Sequence, residues 1–143
     1  MENIRVLIVD DDSPMRAFIK ASIKSSFPGR VGLAVDLDEA GSAEGAMAKL
    51  AAKQYDIVLC DWNLPGMKGT ELLAWMKEED KQKETLFLML TAHNEERVVT
   101  EAIDMGANDF ITKPIAADVL SKRLMSAFRT VLDIRRNKSH DIT

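Results

Sequence analysis

Short apolar runs of strand length alternate with longer amphipathic segments along almost the whole chain. Most of these runs have no charged residue in their middle, which is typical of a parallel sheet covered by helices on both faces. Strand and helix follow one another five times, so the pattern predicts a single α/β domain built on a parallel sheet. The predicted strands cover residues 5–9, 31–37, 56–60, 86–90 and 110–111.

Capping and stop signals bound several of the predicted helices. Ser13 is a plausible N-cap for the first helix, and Pro28–Gly29 would end it. Ser42 could cap the second helix, and the fourth is expected to stop near Gly106.

The fifth helix is predicted to run from Ala117 to about Ile134, with apolar residues along one side. Residues 135–143 are polar and show no periodicity, so we expect a frayed end or a linker stub there. The predicted organisation is therefore one domain of residues 1–134 followed by a polar tail of residues 135–143.

Composition excludes several classes of function. The net charge of -4 gives no reason to expect direct binding to nucleic acid. The single cysteine, Cys60, cannot form an internal disulfide and fits a reducing compartment. The apolar run after Arg5 is too short for a signal peptide core or a membrane span. We therefore expect a cytoplasmic protein with no membrane partner.

Polar side chains follow the apolar strands at the point where each strand ends. In an open parallel sheet, ligands bind outside the carboxyl ends of the strands, at a topological switch point. We therefore expect several carboxylates, one hydroxyl and one ammonium group to converge on one edge of the sheet. The residues concerned are Asp10, Asp11 and Asp12 after the first strand, Asp61 after the third, Thr91 after the fourth and Lys113 after the fifth.

Such a cluster is suited to phosphoryl transfer. Carboxylates that lie close together repel one another, so they must share protons or recruit a cation. Carboxylate oxygens suit Mg²⁺, which also bridges to phosphate oxygens. A carboxylate can act as the nucleophile that forms an aspartyl-phosphate, while a lysine and a hydroxyl neutralise the phosphoryl oxygens.

The order Asp10–Asp11, Asp61, Thr91 and Lys113 resembles the receiver domain of two-component response regulators, most of all the small chemotaxis type. Local matches fall at residues 9–16, 61–69, 90–92 and 106–114, and the resemblance covers roughly residues 3–131. It implies a flavodoxin-like, doubly wound sheet of five parallel strands in the order 2-1-3-4-5, with five helices.

The resemblance implies a role in metal binding or phosphorylation for four residues. Asp61 would be the phosphoacceptor, and Asp11 and Asp61 would ligate Mg²⁺ or Mn²⁺ directly. Asn63 would contribute its backbone carbonyl, and Asp10 would act through a metal-bound water.

Further positions would couple the site to the rest of the domain. Lys113 would pair with the phosphoryl group, and Thr91 would donate a hydrogen bond to it. Phe110 takes the place of an aromatic residue whose rotamer follows that threonine, and Lys113–Pro114 would be a cis peptide. Phe110 lacks the hydroxyl of a tyrosine, so any hydrogen bond from such a ring is absent.

The resemblance also implies partners. A sensor histidine kinase or a phosphotransfer protein would supply the phosphoryl group. A downstream protein target would bind the face made by the fourth helix, fifth strand and fifth helix, including Arg97, Glu101 and Lys122. The chain would be a bacterial signalling protein and not an enzyme in the usual sense, although it would catalyse its own phosphoryl transfer and dephosphorylation.

Two other functions remain open from the residues alone. Asp10 and Asp12 form an Asp-x-Asp pair after the first strand, as in haloacid-dehalogenase-like phosphatases, where Asp10 would be the nucleophile. A binding module that never accepts phosphate is the other alternative. His93, two residues after Thr91, either flanks the phosphoryl entry or is a surface histidine with no role.

Overall fold

A computed structural model of the chain describes residues 2–26, 33–79, 82–92 and 96–141. Five strands alternate with five helices along this part of the chain. The strands are β1 (Glu2–Val9), β2 (Leu33–Ala40), β3 (Ile57–Asp61), β4 (Leu86–Thr91) and β5 (Asp109–Thr112). The helices are α1 (Ser13–Ser26), α2 (Ala43–Ala52), α3 (Gly69–Glu78), α4 (Glu96–Asp104) and α5 (Ala117–Asp141).

The five strands form one parallel sheet in the order β2-β1-β3-β4-β5, which confirms the predicted topology. The first strand therefore lies inside the sheet, with β2 on one side and β3 on the other. In the register, Val9 lies opposite Ala40 on β2 and opposite Cys60 on β3. The residues that come directly after Val9 and Cys60, Asp10 and Asp61, are consequently neighbours at the carboxyl edge of the sheet.

Side chains of β1 alternate between two hydrophobic layers, because successive residues of a strand point to opposite faces. Ile4, Val6 and Ile8 pack with residues of α1 and α5 on one face. Leu7 and Val9 pack with residues of α2, α3 and α4 on the other face. Both faces of β1 are thus covered, which is why its apolar run is continuous.

Several predicted boundaries are confirmed and others are wrong. Ser42 caps α2, since its hydroxyl accepts a hydrogen bond from the Gly45 N–H at 3.0 Å. The prediction that Ser13 is the N-cap of α1 is wrong, because Ser13 is already the first residue of the helix. Gly106 lies after the end of α4 with a φ of +111°, a conformation that favours glycine. Pro28–Gly29 lies outside the described residues.

The prediction that the last helix ends near Ile134 is wrong, because α5 continues through Asp141. Side chains of the polar segment hold it against the amino edge of the sheet. Arg135 donates to the Asn3 carbonyl at 2.9 Å and to Asp56 at 3.0 Å, and Lys138 pairs with Glu84 at 2.6 Å. Charged side chains therefore anchor a segment that has no apolar periodicity, and the predicted division between residues 134 and 135 falls inside a helix.

Among the described residues, no helix has both the length and the apolar character that crossing a bilayer requires, and this includes α5 with its 25 residues.

Candidate functional site

Three carboxylates meet where β1 and β3 end. Asp10 comes directly after β1 and is fully buried, Asp61 is the last residue of β3 and is buried, and Asp11 is exposed. One carboxylate oxygen of Asp10, one of Asp11 and one of Asp61 all lie within 4.8 Å of one another. The predicted convergence is therefore present for Asp10, Asp11 and Asp61, whereas Asp12 is not part of the cluster. The donors are all hard oxygen atoms.

Lys113 bridges two of these carboxylates from the end of β5. Its Nζ lies 2.9 Å from Asp10 Oδ2 and 3.4 Å from Asp61 Oδ1, and its side chain is only 19% exposed. Three carboxylates against one ammonium group leave an excess of two negative charges when all four groups are ionised. A divalent cation would balance that charge, so the donor set fits Mg²⁺ or Mn²⁺.

Burial and charge shift the pKa values at this site in opposite ways. Burial raises the pKa of Asp61 above its ordinary value of 3.8, although the Lys113 ammonium acts against the rise. Burial alone would lower the pKa of Lys113, but its hydrogen bond to Asp10 and the charge of Asp61 outweigh this effect. The pKa of Lys113 therefore lies above 10.5, and its ammonium stays charged at neutral pH.

Both oxygens of the buried Asp10 carboxylate are engaged. Oδ2 accepts from Lys113, and Oδ1 accepts from the Asp12 backbone N–H at 2.9 Å. The backbone of Asp10 is also held, because its N–H donates to the Ala40 carbonyl at 3.1 Å and its carbonyl accepts from Arg16 Nη1 at 2.6 Å. Asp10 is thus fixed from β2, α1 and β5 at once.

Asp61 has fewer restraints on its carboxylate. Lys113 and the Asn63 backbone N–H both contact Oδ1, the latter at 3.4 Å. Neither of these contacts engages Oδ2, which makes it the better candidate for a nucleophile. Asn63 is exposed next to the site, and its predicted role as a carbonyl ligand stays a prediction.

Thr91 and Phe110 lie on neighbouring strands and on the same face of the sheet. Thr91 is buried at the end of β4, and its carbonyl accepts from the Lys113 N–H at 2.7 Å. Phe110 lies opposite Met89, two residues before Thr91, and its half-buried ring packs with the same apolar cluster as Met89. The Arg123 guanidinium lies 5.9 Å from the centre of the ring.

Two glycines shape the loop after β3, for different reasons. Gly66 has a φ of +78°, a backbone conformation that favours glycine in a tight turn. Gly69 has no positive φ. A Cβ on Gly69 would lie 2.4 Å from the Asp61 carbonyl oxygen, so glycine is needed because α3 begins against the backbone of Asp61.

Two residues next to Asp61, Cys60 and Trp62, take no part in the carboxylate cluster. Cys60 is fully buried, and burial together with the nearby Asp61 and Asp10 charges raises the pKa of its thiol well above 9.0, as expected of a packed strand residue. Trp62 is partly buried against the apolar layer of α2, α3 and α4. His93 lies outside the described residues.

Two residues of the site have roles that the sequence does not predict. Arg16 lies within the stretch that resembles the receiver family's first loop, but its bond to the Asp10 carbonyl depends on a side-chain conformation that no spacing reveals. Gly69 is required by the close approach of α3 to β3, which depends on the position of the helix and cannot be recognised in the sequence. The Lys113–Pro114 peptide is cis, which confirms that prediction.

Comparison with known proteins gives a consistent picture. The family model described as "Response regulator receiver domain" matches residues 6–125. The chain is 33% identical over 127 residues to chemotaxis protein CheY-3 of Vibrio cholerae, covering 89% of this chain and 93% of that protein. It is 32% identical over 128 residues to chemotaxis protein CheY of Pseudomonas aeruginosa, covering 90% and 98%.

Solved structures agree with these matches. The chemotaxis response regulator CheY4 of Vibrio cholerae superposes with a TM-score of 0.79 at 25% identity, over 88% of this chain and 99% of that one. The receiver domain of a putative LuxO repressor protein from Vibrio parahaemolyticus gives 0.80 at 26% identity, over 92% and 95%.

Proposed function

This chain belongs to the response regulator receiver family of two-component systems, and on that premise we propose that Asp61 is the residue that accepts the phosphoryl group. The observation that carries the proposal is the placement of Lys113, whose ammonium contacts both Asp10 and Asp61 at the carboxyl edge of the sheet. A fixed positive charge beside a buried carboxylate is the arrangement that stabilises charge developing on a transferred phosphoryl group.

Asp11, Asp61 and the Asn63 carbonyl would hold Mg²⁺ or Mn²⁺, with Asp10 acting through a bound water. The three clustered carboxylates support this assignment, as does the excess negative charge left after Lys113 is counted. When bound, the cation would neutralise oxygens of the phosphoryl group. Mg²⁺ commonly uses one or two carboxylates and keeps several waters, which suits a cluster with one exposed and two buried acids.

The chain's own residues would carry out the transfer in one displacement at phosphorus. An Asp61 carboxylate oxygen attacks phosphorus, and a new P–O bond forms. The bond from phosphorus to the nitrogen of a phosphohistidine donor breaks, and the electron pair leaves with that nitrogen. Lys113 pairs with one phosphoryl oxygen, and the Thr91 hydroxyl donates to another. The same charges would assist the later attack of water on the aspartyl-phosphate, so the domain would catalyse both its own phosphorylation and its own dephosphorylation.

The partners would be a sensor histidine kinase or phosphotransfer protein and a downstream protein. The elements of the expected target face include two exposed apolar side chains, Ile103 on α4 and Val119 on α5, at 43% and 39% exposure. Arg97 and Glu101 on α4 and Lys122 on α5 are exposed as well. A mixed apolar and charged surface of this kind suits a protein target.

Some relatives are longer transcriptional regulators. The chain is 32% identical to the phosphate regulon transcriptional regulatory protein PhoB of Pseudomonas aeruginosa, of which it spans 51%. We propose that the receiver unit includes α5 to its end at Asp141 and that this unit contacts neither nucleic acid nor membrane directly. The cytoplasmic location stays a prediction from the sequence.

The phosphatase alternative finds no support in the geometry. It requires Asp10 as the nucleophile, but that residue is fully buried and both of its carboxylate oxygens already accept hydrogen bonds. It also gives no role to Asp61, although this carboxylate lies beside Lys113.

Treatment with acetyl phosphate and Mg²⁺, followed by mass spectrometry of the intact protein, tests the proposal. We expect one phosphoryl group on the wild type and none on Asp61→Asn. Label that persists on Asp61→Asn and disappears on Asp10→Asn would restore the phosphatase alternative. Absence of label on a folded wild type that binds Mg²⁺ would point to the binding module that never accepts phosphate.

A further inference from the structure

We propose that Arg16 is a positioning residue that holds the Asp10–Asp12 loop in the conformation that binds the divalent cation. This inference rests on the proposed function, since it concerns the same metal site. Arg16 itself belongs to α1 and is not among the clustered carboxylates or the groups that would touch the phosphoryl group.

The contact that carries the proposal is the bond from Arg16 Nη1 to the Asp10 carbonyl at 2.6 Å. On the other side of the same residue, the Asp10 N–H donates to the Ala40 carbonyl on β2 at 3.1 Å. The backbone of Asp10 is therefore held at both polar groups, once by a neighbouring strand and once by a side chain. Only the second of these contacts can be removed by a substitution.

The guanidinium is itself held in place. Its Nε pairs with Glu39 Oε1 at 2.8 Å, while Lys20 Nζ pairs with the other oxygen, Oε2, at 2.7 Å. The carbonyl of Glu39 accepts from Lys49, which secures this residue of β2 from α2. Arg16 is only 19% exposed, so its planar group spans from Glu39 to Asp10 with little room to rotate.

The direction of the Asp10 carbonyl matters because the next residue is Asp11. The peptide unit between them is planar, so a rotation that turns the Asp10 carbonyl away also turns the Asp11 N–H and redirects the chain at Asp11. Asp11 is exposed, and this loop determines where its carboxylate lies in the cluster. Loss of the Arg16 bond should therefore disperse the Asp11 carboxylate over several positions and weaken metal binding.

A merely structural role for Arg16 is the competing explanation, because its ion pair with Glu39 also ties α1 to β2. Lys20 offers a matched control, since it lies on the same helix and pairs with the same carboxylate. Its contacts on the described residues do not include the Asp10–Asp12 loop. Removing the Lys20 side chain therefore tests the link between α1 and β2 without removing a contact of the Asp10–Asp12 loop.

The experiment measures Mn²⁺ binding directly, from the electron paramagnetic resonance signal of the free ion. We expect Arg16→Ala to raise the dissociation constant about tenfold, as is usual when a side chain that orients a metal ligand is lost. Arg16→Lys should recover part of the loss, because its ammonium can still reach one of the two acceptors. Lys20→Ala should bind Mn²⁺ like the wild type.

Phosphorylation by acetyl phosphate supplies a second readout. A positioning role predicts that Arg16→Ala needs more Mg²⁺ for half-maximal rate but approaches the wild-type rate when Mg²⁺ is saturating. Equal dissociation constants for Arg16→Ala, Lys20→Ala and the wild type would overturn the proposal. Should Arg16→Ala fail to fold, Arg16→Met takes its place, because it keeps most of the aliphatic stem but removes the bond to the Asp10 carbonyl; weaker Mn²⁺ binding is again expected, and binding equal to that of the wild type would again overturn the proposal. A wild type that binds no Mn²⁺ would instead remove the proposed function itself.

Discussion

Lys113 Nζ lies 2.9 Å from Asp10 Oδ2, which joins two residues 103 positions apart in the sequence. The contact links the end of β5 to the end of β1, although β3 and β4 lie between these strands in the sheet. Lys113 therefore closes the carboxyl edge of the sheet by reaching across the ends of β3 and β4, where Asp61 and Thr91 lie. This closure brings residues from four strands into one site.

Removing the Lys113 charge should destabilise the metal-free protein more than the metal-bound one. Lys113→Met keeps the apolar stem but leaves Asp10 buried without its cation, which costs about 3 kcal/mol in the free energy of unfolding. Added Mg²⁺ should return more stability to this variant than to the wild type. Urea unfolding with and without Mg²⁺ measures both effects. Lys20→Met, which breaks a half-exposed ion pair, is the control and should cost less than about 1 kcal/mol. An equal loss with and without Mg²⁺ would contradict the expectation.

Neighbouring acids of the first loop should differ sharply in metal binding. Asp11 belongs to the carboxylate cluster, whereas Asp12 does not, and both are exposed. Asp11→Asn should raise the Mg²⁺ dissociation constant roughly tenfold or more, while Asp12→Asn should leave it near the wild-type value. Trp62 lies beside the site, so its fluorescence during a Mg²⁺ titration is the measurement. Similar losses in the two variants would show that general loop charge, and not a defined site, attracts the cation.

A methyl group at position 69 should disturb Asp61, the proposed phosphoacceptor. In Gly69→Ala the new Cβ would lie 2.4 Å from the Asp61 carbonyl oxygen, so α3 or the end of β3 has to move. We expect a loss of about 1–3 kcal/mol in the free energy of unfolding, together with slower phosphorylation by acetyl phosphate. Gly45→Ala, where the nearest atom is the Ser42 hydroxyl at 3.2 Å, should change stability by less than about 1 kcal/mol. Unchanged stability and rate in Gly69→Ala would show that the structure tolerates the contact.

Phosphorylation should be transmitted from Thr91 to Phe110. If the Thr91 hydroxyl moves toward a phosphoryl oxygen, the Phe110 ring on the same face of the sheet can move toward the space it leaves. The ring gains by burial and loses its contact with Arg123. With beryllofluoride, NMR chemical shift changes should extend to Phe110 and α4 in the wild type. In Thr91→Ala they should stay within the loops that follow β1 and β3. Wild-type shifts confined to those loops would refute this switch.

Stability at low pH should depend on the hydrogen bond from Tyr55 to Asp38. This bond, with help from Lys53, holds the pKa of Asp38 below its ordinary value of 3.8. A lowered folded-state pKa contributes stability above pH 3.8, and that stability is lost as the pH falls through the folded pKa. Tyr55→Phe should therefore cost about 1.5 kcal/mol at pH 7, and the difference from wild type should shrink below about pH 3.8. Urea unfolding from about pH 7 down to about pH 3 measures this, and a difference that stays constant with pH would exclude Asp38 as the partner.

The residues that meet at the site could be predicted because the order of the strands and the residues at which they end can be inferred from the sequence. Asp10, Asp61, Thr91 and Lys113 each lie at the end of an apolar run, and parallel strands place such ends at one edge. Assigning individual roles to them required the resemblance to receiver domains, since the apolar pattern alone carries no chemistry.

Other features depend on three-dimensional placement that periodicity does not encode. The bond from Arg16 to the Asp10 carbonyl needs a particular rotamer on α1, and the tight fit at Gly69 depends on how α3 approaches β3. The continuation of α5 beyond Ile134 rests on long charged side chains that reach Asn3, Asp56 and Glu84. Local polarity predicted a tail there because the anchoring partners are distant in the sequence.

Burial of Cys60 has a practical consequence for labelling. It is the chain's single cysteine, and its inaccessible thiol, with its raised pKa, should not react with maleimide while the protein is folded. A cysteine introduced at an exposed position therefore becomes the sole point of attachment for a dye without prior removal of the native thiol. Asn137 is exposed on the last turns of α5, toward the amino edge of the sheet. A fluorophore placed there would stand about 17–20 Å, the length of a typical strand, from the carboxyl edge. Partner binding could then be followed in solution without a label close to the proposed phosphorylation site.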